Sequence, residues 1–489
     1  MMEGRLFFEF LQVAIGIRES VSVSISDADW HRLFDFCKRQ ALIGIGFTAV
    51  EKLHAVGVVC PANLRMQWYG YATQIERMNE KLNTQCGNLA DRFEHDGFAC
   101  CILKGQSNQM NYPEGLKLRR TPGDIDLWTA PLPPGGGCCK QGNTDEGITI
   151  AVQTGKEDIK YVTCHGHRAV IEYVRMQFRL QGIDANPKAC YHHIEAPMMD
   201  GTEVEVHYRP AFLRSPLRNR RMQRWFENHT DECMKNKTHL GFSMMTSSVN
   251  VVYQMCHLYT HIFEGGIGLR QLMDYYFALR VWHNDVMECK DLQSQGMWSE
   301  GLGTSVMSAT EIMAVLRSFG MGKFAAAVMY VLQEAFENEE CLLELEMRNE
   351  KLGIERELPQ INRELKEIGP QADEDGEHQL FTHYQSKEEF IKLKQVSAIG
   401  QQLKKNNYLP WMICEPNEKE GRKLMAEIMQ GGNFGQYDTR DAKLKQGGMV
   451  KHGVWKLKRV MRLVSSYPEE ALWEPVFRVY HLFWRSIHS

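Results

Sequence analysis

Asp124-Ile125-Asp126-Leu127-Trp128-Thr129 is the stretch of this 489-residue chain on which the reading of its fold turns. Alternate side chains of an extended strand face the same way, so Asp124 and Asp126 are expected to project together into one solvent-facing site while Ile125 packs behind. Two such carboxylates grip a divalent cation. Hard oxygen donors suit Mg²⁺, which keeps waters and also takes phosphate oxygens. An isolated Asp-x-Asp is common on surface strands, so its meaning comes from its surroundings. Upstream, residues 98–103 (FACCIL) are a short continuous apolar run ending at Lys104-Gly105, which reads as a buried strand followed by a turn. Downstream, residues 204–208 (VEVHY) alternate, and a Met199-Asp200-Gly201 turn leads into them from a partner strand near residues 192–196. Residues 168–180 have helical spacing. A third carboxylate, Glu205, shares its strand face with Glu203 and His207, and either glutamate is a candidate for the site.

These residue types suit phosphate chemistry. Gly105 at the strand end lets backbone N–H groups approach a triphosphate, and Ser107 at the start of the next helix adds a hydroxyl to that corner. Lys104 and Arg120 are candidate cations for the phosphates, Arg120 standing four residues before Asp124 at the mouth of the strand. His257 and His261 lie on one helix face with Glu264 nearby. They lack the intervening glutamate of a zinc-protease helix and read as packing features. Residues 431–437 (GGNFGQY) have glycines without the strand-helix order of a dinucleotide site. Cys138, Cys139, Cys164, His165 and His167 lack CxxC pairing and read as incidental. The basic cluster from Lys443 through Lys456, Lys458, Arg459 and Arg462, with Trp455 among them, reads as a solvated helix face before a nucleic-acid track.

The length allows two or three domains. Residues 1–95 read as an N-terminal helical region whose first apolar stretch, 6–17, is interrupted by Glu9 and Gln12 and is too short to span a bilayer. Residues 96–215 form the expected core, with a loop insertion at about 131–160 containing PLPPGGGCCKQGN. Residues 216–489 are a C-terminal helical region, periodic across 251–279 and 309–336, with a charged stretch at 337–377 expected as a solvated helix plus loop. The fold class is α+β: a small mixed sheet flanked by helical regions. A net charge of -4 excludes polyanion binding by bulk charge. Fourteen cysteines without a secretory signal point to reduced thiols in the cytoplasm.

The order LKG, an arginine, DIDLW and then VEVHY resembles the bacterial "uncharacterised nucleotidyltransferase" family, a branch of the DNA polymerase beta-like superfamily. Residues 257–274 (HLYTHIFEGGIGLRQLMD) and 420–437 (EGRKLMAEIMQGGNFGQY) are similar to that family's helical region. The resemblance implies a small mixed-sheet nucleotidyltransferase core and transfer of a nucleoside monophosphate from an NTP, ATP first, to a hydroxyl acceptor on a small molecule, sugar or protein. It implies Mg²⁺ (or Mn²⁺) in a two-metal mechanism, with Asp124, Asp126 and Glu205 as catalytic carboxylates and metal ligands. Glu205 is preferred to Glu203 because the family carries a carboxylate just before its Val-His pair. Lys104, Gly105, Ser107 and Arg120 would surround the nucleotide. His207, His257, His261, Arg270 and Asp274 would close the back of the site. Neither nucleic acid nor a membrane is implied as a partner. The superfamily's adjacent Gly-Ser is split here into Gly105-Gln106-Ser107, which supports the alternative of a core retained as a binding or regulatory module. A metal-dependent glycosyltransferase is a further alternative, but RRTPG, not an apolar strand, precedes this Asp-x-Asp.

Overall fold

Four helices precede the first strand in the computed structural model, which describes residues 2–132, 148–153, 159–185, 187–294, 306–337 and 409–488. They are α1 (Met2–Ile15), α2 (Asp27–Arg39), α3 (Ile43–Ala55) and α4 (Ala62–His95). Ser26 and Asp29 cap α2 reciprocally, and its buried face carries Trp30, Leu33, Phe34 and Cys37 at helical spacing. The core follows as β1 (Phe98–Ile102), α5 (Gln106–Gln109), α6 (Glu114–Lys117), β2 (Ile125–Pro131), β3 (Ile148–Gln153), β4 (Ile159–Cys164), α7 (Gly166–Leu180), β5 (His193–Met199) and β6 (Thr202–His207). The C-terminal region contributes α8 (Pro216–Asn228), α9 (Thr230–Lys235), α10 (Ser247–Glu264), α11 (Leu269–Ser294), α12 (Ala309–Ser318) and α13 (Gly322–Phe336). After the undescribed stretch come α14 (Glu418–Gly431), α15 (Ala442–Lys445), α16 (Met449–Leu463) and α17 (Pro468–Ile487). The class is α+β, with a small mixed sheet between helical regions.

The sheet runs β1-β2-β6-β5: β1 and β5 are antiparallel to their neighbours, and β2 is parallel to β6. In the central pair Asp126 stands opposite Glu205 and Trp128 opposite His207. Asp200 and Gly201, at φ +49° and +82°, make the tight turn that returns β5 into β6. One sheet face buries Ile102, Ile125, Leu127, Val204 and Val206 against α7 and the second half of α4. The opposite face adds Cys101, Leu103 and Trp128 to the larger helical core and carries the polar side chains of the site. At 1.5 Å per residue the 34-residue α4 is about 51 Å long. It serves both cores, with Trp68 and Ala72 in one and Cys86 and Leu89 in the other.

One expectation changes here, and another is refined. Inside the stretch taken as a loop insertion, β3 and β4 pair as an antiparallel hairpin. The short β-branched run ITIAVQ carries a strand pattern that the flanking Gly, Pro and Cys residues obscure. The periodic run 251–279 is two helices, broken at residues 265–268 (GGIG). Cys138 and Cys139 lie outside the described residues, as does the charged stretch apart from Glu337. Every cysteine recorded among the described residues is free. No helix among those residues is long and apolar enough to cross a membrane.

Candidate active site

Period-two geometry brings the carboxylates together: Asp126 on β2 and Glu205 on β6 are register partners, and Asp124 sits just before β2. Asp124 is about a third exposed, but Asp126 is wholly buried, which corrects the expectation that both face solvent. Its burial is supported by charge. Lys104 Nζ lies 3.0 Å from Asp126 Oδ1 and 4.0 Å from Asp124 Oδ2, and His207 Nε2 lies 3.0 Å from the same Asp126 oxygen. His207 Nε2 also stands 3.3 Å from Glu205 Oε2. Asp126 Oδ2 has no hydrogen-bond partner. Glu203, on the same strand face, points into solvent.

The electrostatics follow from this packing. Burial pushes the Asp126 carboxyl up, but Lys104 and His207 hold it below its usual range. Burial likewise opposes ionisation of Glu205, while His207 and His193 hold it down to about 2. His207 resists the desolvation of its own charge through its two carboxylate contacts and is raised to about 9, so it is an imidazolium at neutral pH. Burial lowers His193 to about 4 and keeps His192 neutral. These two histidines were not singled out in the sequence. Counting back from the Met199–Thr202 pair would put His193 opposite Tyr208, but a bulge between Ala196 and Met199 moves it onto His207.

Beside the carboxylates lies a narrow cleft lined by Lys104, Gly105, Asn108, Arg120, Asp124, His257, Arg270, Asp274 and Phe434, among others. Gly105 adopts φ +63°, and a Cβ there would stand 3.3 Å from the Asp124 carbonyl oxygen, so the glycine permits the turn at close approach to Asp124. Ser107 does not line the cleft. It is fully buried and its Oγ has no partner. The residue inserted between glycine and serine turns the serine by about 100° around the helix, and Asn108 faces the cleft instead.

Arg120 lines the cleft, but its guanidinium already has a carboxylate partner. It is buried and bidentate on Asp274, with Nε to Oδ1 at 2.7 Å and Nη2 to Oδ2 at 2.8 Å. Asp274 accepts as well from Tyr112 (2.7 Å) and Asn108 (3.2 Å). This network fixes the chain just before Asp124, and Asn79 Nδ2 reinforces it by donating to the Leu118 and Arg120 carbonyls. Arg270 is the freer guanidinium: its Nη1 donates to the Thr121 carbonyl at 3.1 Å, its Nε is buried without a partner, and it forms no ion pair among the described residues. Burial, followed by the nearby Arg120 charge, lowers it to about 10.

His257 and His261 meet with ring centroids 4.3 Å apart, and burial lowers His261 to about 3, so both are neutral. With Glu264 they form no three-residue metal-ligating group among the described residues. Phe434, from the late glycine stretch, sits 4.9 Å from the His261 ring and 5.4 Å beneath the Arg270 guanidinium. A Cβ on Gly265 would meet the Phe434 carbonyl at 2.9 Å, and one on Gly268 the Asn433 Cα at 2.8 Å, so two glycine segments pack backbone to backbone at the cleft wall. Part of the basic cluster is engaged inside the protein. Trp455 and Arg459 are buried, Arg459 donating to the Ile262 carbonyl, and Lys458 pairs with Asp441.

The fold and the acidic β2/β6 pair define the class. The chain belongs to the uncharacterised nucleotidyltransferase family, whose sequence profile matches residues 26–296. The matched span takes in the site strands, both cleft arginines and the 257–274 helical motif; residues 420–437 lie beyond it. No curated protein and no solved structure shows significant similarity to the chain.

Proposed function

We propose that this chain moves a nucleoside monophosphate from an NTP to a hydroxyl acceptor, with Asp124, Asp126 and Glu205 as the catalytic carboxylates. The observation that carries the reading is the pairing of Asp126 with Glu205 across β2 and β6, beside Asp124 and next to a cation-lined cleft. The donor set fits a divalent ion such as Mg²⁺ or Mn²⁺. It offers hard oxygens, and one of them, Asp126 Oδ2, is buried and unsatisfied. When bound, the metal supplies Lewis acidity toward the phosphates and a lowered pKa for the acceptor hydroxyl.

The protein's own groups do the rest. Arg270 offers an unpaired Nε to a phosphate, the role expected of Arg120, whose guanidinium instead holds the approach to Asp124 through Asp274. Lys104 holds the Asp126 carboxylate ionised, pairs with Asp124 and would be free to turn to phosphate once a metal took its place. Glu205 is the carboxylate placed to take the acceptor proton, although the hold of His207 on it makes it a weak base. The acceptor oxygen then forms its bond to the α-phosphorus as pyrophosphate leaves. ATP is the first NTP to try.

A second reading is a retained core that binds without transfer. The Lys104–Asp126 ion pair favours it, because an ammonium already neutralises the central carboxylate. Incubation with each α-³²P-labelled NTP and Mg²⁺, with cell extract as acceptor source, separates the two. Label on the protein or an extract component that disappears in Asp126→Asn supports transfer. Mg²⁺-NTP binding without label, or label that survives in the variant, overturns it.

A further inference from the structure

Where the chain leaves β6, α8 and α17 flank a groove of about 610 Å³, within the range that takes a small organic molecule. Arg209, Arg220, Arg224, Tyr191, Phe477 and Tyr480 line it, among others. Arg220 and Arg224 stand one helical turn apart on α8, both exposed and neither in an ion pair among the described residues. Arg209 is half-buried and held in place without a carboxylate. Its guanidinium lies 4.4 Å from the Tyr191 ring centroid, and its Nη1 donates to the Tyr191 carbonyl at 2.5 Å. These contacts fix the plane of the fork before any ligand arrives. Arg214 lines the same groove. It is buried, and its Nη1 makes no hydrogen bond although Glu470 and Glu474 neutralise the side chain.

The amide side chains of the groove are satisfied internally. Asn219 Nδ2 donates to the Tyr191 hydroxyl at 2.7 Å, and its Oδ1 accepts from the Leu213 amide at 3.0 Å. Gln223 Nε2 donates to the Ala211 carbonyl at 2.8 Å. A ligand therefore meets guanidinium N–H donors, the aromatic surface of Phe477 and Tyr480, and one carboxylate, Glu227. Donors of this kind select a molecule that brings negative charge, and guanidinium forks match phosphate oxygens two at a time. The aromatic side chains select a ring beside the phosphate.

We infer that this groove binds a small phosphate ester built on a ring, and that this ester carries the acceptor hydroxyl. The second clause rests on the transfer reading and the first does not. Position supports the acceptor role. Arg209 follows His207 by two residues, which keeps their Cα atoms within about 7 Å. The rings of His207, His192, Phe212 and Phe477 pack in series from the carboxylates to the groove, with centroids 5.4, 4.7 and 5.0 Å apart. A small molecule fits better than a nucleic-acid strand, because Glu227 stands one turn beyond Arg224, where a strand following α8 would bring its next phosphate.

The test is calorimetric titration of the full chain in Mg²⁺-free buffer with fructose 1,6-bisphosphate and with adenosine 3′,5′-bisphosphate, each beside its unphosphorylated parent. The pair tells a sugar phosphate from a nucleotide-type ligand. At least one bisphosphate should bind, about tenfold or more tighter than its parent. Arg220→Ala combined with Arg224→Ala should weaken that binding at least about tenfold without moving the thermal midpoint, and lysine at both positions should restore only part of it. Failure of both bisphosphates to bind, or binding that the double variant retains, overturns the inference. So does a short single-stranded oligoribonucleotide that binds at least about tenfold more tightly than either bisphosphate, because the occupant would then be a strand. The acceptor role is read separately, by adding the double alanine variant to the NTP-labelling experiment, where label on the extract component should fall at least about tenfold. Undiminished label removes the acceptor role and leaves the phosphate site standing. Absence of label in wild type sinks the transfer reading, and with it the acceptor role, but not the binding result.

Discussion

His207 couples two carboxylates through one nitrogen, and the direction of each shift fixes how the metal-free protein responds to pH. Glu205 is depressed to about 2 in the folded state, so its contribution is present above its unfolded value and lost as pH falls toward 2. His207 is raised to about 9, so its contribution is complete below its unfolded value, near 6.5, and disappears as pH rises through 9. The network therefore stabilises most between about pH 4.5 and 6.5. Thermal midpoints across pH 4 to 10 should decline less at the alkaline end in His207→Gln than in wild type, and parallel curves would refute the coupling. The two cleft arginines separate by a different measurement. Asp274→Ala strands buried Arg120 beside Arg270 and removes the acceptor for Tyr112 and Asn108, so it should cost about 3–5 kcal/mol in chemical denaturation. Arg270→Ala removes a cation with no carboxylate partner among the described residues. It should cost less stability but weaken NTP binding about tenfold or more in equilibrium titration.

Glycine placement controls how the elements meet at the cleft. The 265–268 break between α10 and α11 lies against residues 433–435, and Gly268→Ala would drive a methyl to 2.8 Å from the Asn433 Cα. Overpacking of this kind costs about 1–3 kcal/mol. Because Phe434 would move off His261 and Arg270, NTP affinity should fall together with the thermal midpoint; unchanged affinity in a destabilised variant would show that the wall is structural only. This contact also marks the boundary of what the sequence makes legible. β1, β2, β6 and α7 are readable because period-two or helical spacing is written into a few consecutive residues. The meeting of Asp126 with Glu205 follows once those strands are paired. Arg120 is captured by a carboxylate 154 residues away, and Phe434 closes the cleft from a segment to which the sequence reading gave a family likeness but no place at the site. No local pattern encodes such contacts. His193 reaches His207 only through a bulge, and Ser107 turns inward because of one extra residue.

The N-terminal and C-terminal helical regions, separate stretches in the sequence, share one hydrophobic core: Phe7 and Trp30 pack in the same cluster as Val328, Leu332 and Ile428. Gln40 ties them further, donating to the Ile428 carbonyl at 3.1 Å and accepting from the Leu269 amide at 3.0 Å. The nucleotidyltransferase sheet is thus braced by chain from both sides, and the last helix makes the most exacting joint. Arg214, seven residues beyond His207, is buried against Glu470 and Glu474 of α17, both almost wholly inaccessible. Removing one member of such a group leaves uncompensated charge, so Arg214→Met should cost about 3–5 kcal/mol and loosen α17 from the chain leaving β6. Burial already raises Glu470 despite the arginine, and without it the rise should grow. A carboxyl raised in the folded state binds its proton more tightly there than in the unfolded chain, so stability increases as pH falls. Arg214→Met should therefore regain part of its lost thermal midpoint between pH 8 and pH 5, and adding Glu470→Gln and Glu474→Gln should recover stability at pH 8. A single variant equally destabilised at both pH values, with no rescue by the glutamines, would mean that the arginine acts by packing and not by charge.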